Sequence, residues 1–139
     1  MKPYKHILLA TDFSENNQAP IAKAKFLTDD LNCKLSLVHI IEPIPAYGYP
    51  GFDNLESPLI EHSQKELDKI AEKLDVKPGN QFIKFGSVKN QVLELAQELQ
   101  VDLIIIGSHG RHGFSRLLGS SANSIINHAD CDVLTVRCQ

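Results

Sequence analysis

Residues 101–106 read VDLIII, and after Asp102 the run holds no polar side chain. A strand with one wet face alternates apolar and polar residues, whereas a run that is apolar throughout is covered on both faces. Sheets covered on both faces are mostly parallel, and parallel neighbours need long helical crossovers to join them. The run therefore calls for helices above and below a sheet.

The rest of the chain supplies them. HILLA, residues 6–10, reads as a buried first strand. Ile21, Ala24, Leu27 and Leu31 then recur at helical spacing. Pro20 is tolerated in a first turn but not in a helix interior, which sets the helix start near Asn17 or Gln18. KLSLVHII (34–41) is a second strand. The stretch from 42 to 58, rich in Pro and Gly and without periodicity, reads as a long loop. Ile60, Leu67, Ile70, Ala71 and Leu74 mark a second helix, KPGN a turn, and QFIKF (81–85) a third strand. Val88, Val92, Leu95, Ala96 and Leu99 outline a third helix. After VDLIII, Ala122, Ile125, Ile126 and Ala129 suggest a fourth, and DVLTVR (132–137) is the last strand. Strands alternating with helices give an α/β domain with a parallel sheet, one domain over residues 1–139. Right-handed crossovers allow the strand order 3-2-1-4-5.

Composition excludes several partners. A net charge of −3 without a basic cluster argues against nucleic-acid binding. No run approaches the ~20 apolar residues that span a membrane, and the first residues, MKPYKHILLATD, lack a signal-peptide pattern. Cys33, Cys131 and Cys138 show no CxxC spacing and read as core or surface thiols in a reduced, cytoplasmic setting.

In open α/β sheets a ligand sits beyond the carboxyl ends of strands where the strand order reverses. For the order above, that point lies between the first and fourth strands. ATDFS (10–14) and GSHGRHG (107–113) follow those strands, and they are the stretches most crowded with small and polar groups. Gly107, Gly110 and Gly113 allow close backbone approach, and free N–H groups in such a loop can cradle phosphate oxygens. Gly119, Ser120 and Ser121 precede the fourth helix, where a serine cap leaves N–H groups facing an anion. Arg111 adds positive charge. Asp12 can accept hydrogen bonds from ribose hydroxyls, and Ala10 and Ile40 can contact a base.

Each feature also has a plainer reading. The glycines suit a tight connection, Asp12 an Asx-turn, the serines ordinary helix caps, and His39 a satisfied core histidine. His109 and His112 lack further ligands for a metal. No GK[ST] follows the glycines, the first strand-to-helix turn has no glycine, and GSSAN is not a nucleophile elbow.

Taken together, YKHILLATDFSE, LSLVHI, and VDLIIIGSHGRHG running into LLGSSANSIINHADCDVLTVR resemble the universal stress protein family over essentially the whole chain. The resemblance implies an open five-stranded sheet of the adenine nucleotide alpha hydrolase-like kind. The ATP-binding branch of the family has Gly, two residues, Gly, nine residues, then Gly-Ser or Gly-Thr. Gly107, Gly110 and Gly119-Ser120 match, but only residues 111–118 lie between the second and third glycines, one fewer than the pattern. The resemblance implies binding of AMP or ATP, with or without Mg2+. Asp12 would hold ribose, and Ala10, Thr11, Ile40 and Ile106 would line the base. Gly107, His109, Gly110, Gly119, Ser120, Ser121 and Ala122 would surround ribose and phosphates. It further implies a homodimer through the last strand, Val133, Leu134, Thr135 and Val136, and a stress-response regulator or sensor. No residue pair makes a general base and nucleophile, so no enzyme is expected, although slow ATP hydrolysis needs little more than positioned phosphates and water. The alternative is a nucleotide-free dimeric scaffold that works through protein partners.

Overall fold

The computed structural model describes residues 3–13, 17–42, 56–107 and 121–137. Five parallel strands, β1 (His6–Ala10), β2 (Lys34–Ile41), β3 (Gln81–Phe85), β4 (Leu103–Gly107) and β5 (Asp132–Val136), form one sheet in the order β3-β2-β1-β4-β5. The helices are α1 (Gln18–Leu31), α2 (Glu56–Leu74), α3 (Val88–Leu99) and α4 (Asn123–His128).

Side chains alternate across the strands, and this alternation builds two apolar layers. Ile7, Leu9, Leu35, Leu37, Leu103 and Ile105 pack with Ala24 of α1 and with Leu67, Ile70, Ala71 and Leu74 of α2. Leu8, Val38, Ile104 and Ile106 face the other way, toward Val92, Leu95 and Ala96 of α3 and Ile125 of α4. This division follows from the strand order. The chain moves outward from β1 to β3 with two helices on one face, then crosses back to β4 and β5 with two on the other. Right-handed crossovers impose that placement.

Several boundaries carry a physical reason. Asn17 precedes α1, so Pro20 falls in its first turn. Helix α2 opens at Glu56, inside the stretch read as loop through residue 58, because Pro58 occupies the first turn, where its missing N–H has no helical partner to lose. Strand β4 starts at Leu103 rather than Val101: the Val101 N–H is spent on the Ala96 carbonyl at the end of α3, and the Asp102 N–H on the His6 carbonyl. Helix α3 begins with Ser87, whose side chain accepts from the Asn90 N–H at 3.2 Å, directly after Gly86 at φ 136°, which favours glycine. Ile60 and Ile126, used to mark α2 and α4, are 39% and 46% exposed and lie outside both cores.

The amino-terminal end of the sheet is tied across its strands. Tyr4 donates to Asp132 Oδ2 at 2.7 Å. Asp102 Oδ2 accepts from the Lys5 and His6 N–H groups. His6, 9% exposed, meets Ser36 Oγ through Nε2 at 2.7 Å. Burial, and next the Lys34 ammonium, hold the His6 imidazole below its usual value against the opposing pull of the Leu99 carbonyl and Asp102. The folded chain therefore keeps His6 neutral where the unfolded chain, near pKa ~6.5, already binds a proton. This stability is present above about pH 6.5 and is lost as pH falls through the folded-state value. Urea midpoints measured from pH 7.5 down to 5 should fall in wild type, and the fall should be shallower in His6→Gln.

Candidate functional site

The site begins where the central ladder stops. Pairing of β1 with β4 ends at Leu9 and Ile105. Outward pairing goes further on both sides: Ala10 still matches Val38 of β2, Thr11 N–H donates to the Val38 carbonyl at 2.9 Å, and Ile106 and Gly107 still match Thr135 and Val136 of β5. The two central strands thus part at their carboxyl ends while their outer neighbours keep hold of them. A crevice opens at the point where the strand order reverses, the position that a doubly wound sheet offers to ligands.

Ala10, Ile40, Ile106 and Ala122 belong to one apolar cluster on the α3–α4 face. Ile106 and Ala122 are buried, and Ala10 and Ile40 half-buried. Four residues far apart in sequence thus share one apolar layer, at the strand ends and the start of α4. Thr11 is buried, while Asp12 and Gly107 are half-exposed at the strand ends. Ser121 is half-exposed beside Ala122. The structure brings these eight predicted residues to the carboxyl end of β1, β2 and β4 and the start of α4. His109, Gly110, Arg111, Gly119 and Ser120 lie outside the described residues, as does most of the loop read between 43 and 58.

Of the two serines read as caps for α4, Ser120 lies outside the described residues. The position before α4 is Ala122, with helical angles (φ −66°, ψ −45°) and no side-chain cap. Ser121 and Ala122 form a wide turn that already follows the helical path, so Ser121 does not stand where a cap's oxygen reaches the first-turn N–H groups.

Sequence reasoning missed the side chains that hold the loop after β1. His39 was read as a satisfied core histidine, and it is 6% exposed. Its partner is informative: Nδ1 lies 2.9 Å from the Thr11 carbonyl. A carbonyl only accepts, so Nδ1 carries the proton and donates. The ring stacks on Phe13, with centroids 4.0 Å apart and planes 29° apart. The Asp12 carbonyl accepts twice, from Thr11 Oγ1 at 2.9 Å and from Asn17 Nδ2 at 2.8 Å. Asn17 precedes α1 yet caps none of its N–H groups. The sequence signals were faint: a polar residue in an apolar strand, and an asparagine at a helix start.

Two further features lie away from the crevice. At the opposite end of the sheet, a recess of about 410 Å3 between α3 and the end of α4 is lined in part by Leu93, Ile104 and Cys131. Burial, and then the nearby Asp132 charge, raise the Cys131 thiol pKa, and burial raises that of Cys33. Both are therefore poor nucleophiles at neutral pH. Among the described residues, no helix is long and apolar enough to cross a membrane, and no group of three or more His, Cys, Asp or Glu is placed to hold a metal.

The sequence profile of the universal stress protein family matches residues 3–137. The chain is 40% identical over 142 residues to universal stress protein A homolog 2 of Coxiella burnetii, covering 99% of this chain and 97% of that one. It is 42% identical over 138 residues to homolog 1 of the same organism, with 96% of each chain covered. Its fold is similar to that of hypothetical protein MJ0577, with a TM-score of 0.85, 28% identity, and 99% and 98% of the two chains covered. It is also similar in fold to a universal stress protein solved in complex with cAMP, with a TM-score of 0.68, 21% identity, and 96% and 97% covered.

Proposed function

The chain belongs to the universal stress protein family, and from that premise we propose that it binds an adenine nucleotide, AMP or ATP, in the crevice between β1 and β4, as a dimeric stress-response regulator or sensor. The observation that carries the reading is the parting of β1 from β4 after Leu9 and Ile105, beside an apolar wall and a carboxylate. The residues present suit a nucleotide. Ala10, Ile40 and Ile106 offer a base apolar contact, Asp12 offers ribose hydroxyls an acceptor, and Gly107 lacks a Cβ where a backbone must come close. The family correspondence places Gly107, His109, Gly110, Gly119, Ser120, Ser121 and Ala122 around the ribose and phosphates, and Arg111 adds positive charge there. A universal stress protein of the same fold in complex with cAMP supports an adenine ligand. We assign the crevice a binding role and no catalytic residue.

The proposed dimer joins β5 to β5 of a second copy. Strand β5 ends the sheet order, next to β4, and Val133, Leu134, Thr135 and Val136 are half-buried there. A strand in that place can pair with its own copy across a two-fold axis.

A ligand that binds only the folded state must raise the unfolding midpoint. At a hundredfold excess over Kd the gain is about 2.7 kcal/mol, a rise of roughly 10 °C for a chain of this size. Thermal melts with millimolar AMP and ATP, paired with sedimentation, test both halves of the proposal. The spacing between Gly110 and Gly119, one residue short, favours the nucleotide-free scaffold. An unchanged midpoint in a dimeric protein would select that second reading.

A further inference from the structure

The Thr11–Asp12 backbone at the end of β1 is held from both sides. Thr11 N–H is fixed by the Val38 carbonyl, and the Thr11 carbonyl by His39 Nδ1, both at 2.9 Å. The next carbonyl, that of Asp12, is fixed by Asn17 Nδ2 at 2.8 Å and by Thr11 Oγ1. Two successive peptide planes on either side of the Asp12 Cα are thereby set from both directions: His39 reaches in from β2, and Asn17 back from the start of α1. With the planes before and after Asp12 fixed, the direction in which its Cα–Cβ bond leaves the backbone is fixed too. Recognition by a preset group avoids the ordering cost that a free loop would bear on binding.

The arrangement spends polar side chains in places where apolar ones would pack as well. His39 stands on the face of β2 that carries Leu35 and Leu37, and its ring covers Phe13. An aromatic hydrocarbon would serve that stacking without burying a donor. Asn17 stands where a helix cap is normally found and caps nothing. The imidazole and amide N–H donors instead converge on the backbone of Thr11 and Asp12.

We propose that His39 and Asn17 are positioning residues for nucleotide recognition, holding the Thr11–Asp12 backbone so that the Asp12 carboxylate meets the ribose hydroxyls in one orientation. The inference rests on the adenine-nucleotide reading of the crevice. Neither side chain touches the ligand; each acts through the backbone that it holds.

The test compares wild type, His39→Phe, His39→Asn and Asn17→Ala by calorimetric titration with AMP and with 2′,3′-dideoxy-AMP, each well below its own unfolding midpoint. His39→Phe keeps a ring beside Phe13 and loses the donor. His39→Asn loses the ring and keeps an N–H donor where Nδ1 stood. The expected result is a roughly tenfold loss of AMP affinity in His39→Phe and Asn17→Ala, with His39→Asn within about threefold of wild type. The preference for AMP over the dideoxy nucleotide should fall toward one in the first two variants and persist in the third, whatever each does to stability. Wild-type affinity and preference in Asn17→Ala and His39→Phe would overturn the inference while leaving nucleotide binding in place. So would weaker binding with an unchanged preference, which would mean a structural role only. If His39→Phe does not fold, Asn17→Ala decides. Wild type that takes neither nucleotide overturns the crevice reading itself, and the inference with it.

Discussion

Replacing Asp12 by alanine lowers the affinity for AMP by about 10- to 100-fold, the loss expected when a charged acceptor of hydrogen bonds is removed. Among the described residues, the Thr11–Asp12 backbone is held by the Val38 carbonyl and by the side chains of Thr11, Asn17 and His39, all of which the substitution leaves in place. A thermal melt of the variant separates a loss of binding from a loss of fold. Asp12→Asn, which keeps a neutral acceptor of the same shape, should fall between alanine and wild type. The substitution should cost the dideoxy nucleotide little, because that ligand presents no ribose hydroxyl for the carboxylate to accept from. Calorimetric titration of the two nucleotides measures both effects. Equal losses for both would mean that Asp12 acts through general charge and not through ribose.

The second large effect lies at the other end of the sheet. Asp102→Ala lowers the unfolding free energy by about 2–3 kcal/mol, a sizeable share of the ~5–15 kcal/mol that holds a domain together. Asp102 Oδ2 accepts from Lys5 N–H at 2.7 Å and from His6 N–H at 2.9 Å, and its own N–H donates to the His6 carbonyl at 2.8 Å. This clamp sets the start of β1 beside β4, one residue before the ladder opens at Ile7 and Leu103. Alanine keeps the backbone bond and orphans both donors. Water can replace the acceptor at exposed Lys5 but reaches buried His6 less well. AMP affinity should stay near wild type, because the clamp and the crevice stand at opposite ends of the strands. Urea unfolding checks the first statement and calorimetry the second. A loss below about 0.5 kcal/mol would mean that solvent satisfies both N–H groups.

The layers of the fold were legible because they follow from short-range pattern. VDLIII asked for helices on both faces, and the structure places Leu103 and Ile105 in one layer and Ile104 and Ile106 in the other. Pro20 set the start of α1. Pro58 misled, since a proline in an unpatterned stretch suits a loop and a helix's first turn equally. The crevice followed from strand order together with the small residues after β1 and β4. What stayed hidden depends on register. His39 meets Thr11 only because β2 stands beside β1 with Ala10 opposite Val38. Asp102 clamps Lys5 and His6 across a gap of nearly a hundred residues for the same kind of reason. A side chain's own neighbours in sequence carry no trace of such a partner. Ser121 failed as a cap because local chemistry names the residue types that can cap a helix, not the turn at which the helical path starts.

The most direct test of nucleotide binding in the crevice is calorimetric titration of wild type and Gly119→Val with AMP, ADP and ATP, with and without magnesium. Saturable binding of at least one nucleotide by wild type, abolished by the valine, is the predicted result. Wild type that gives no heat of binding up to millimolar nucleotide, while remaining a folded dimer, would contradict it.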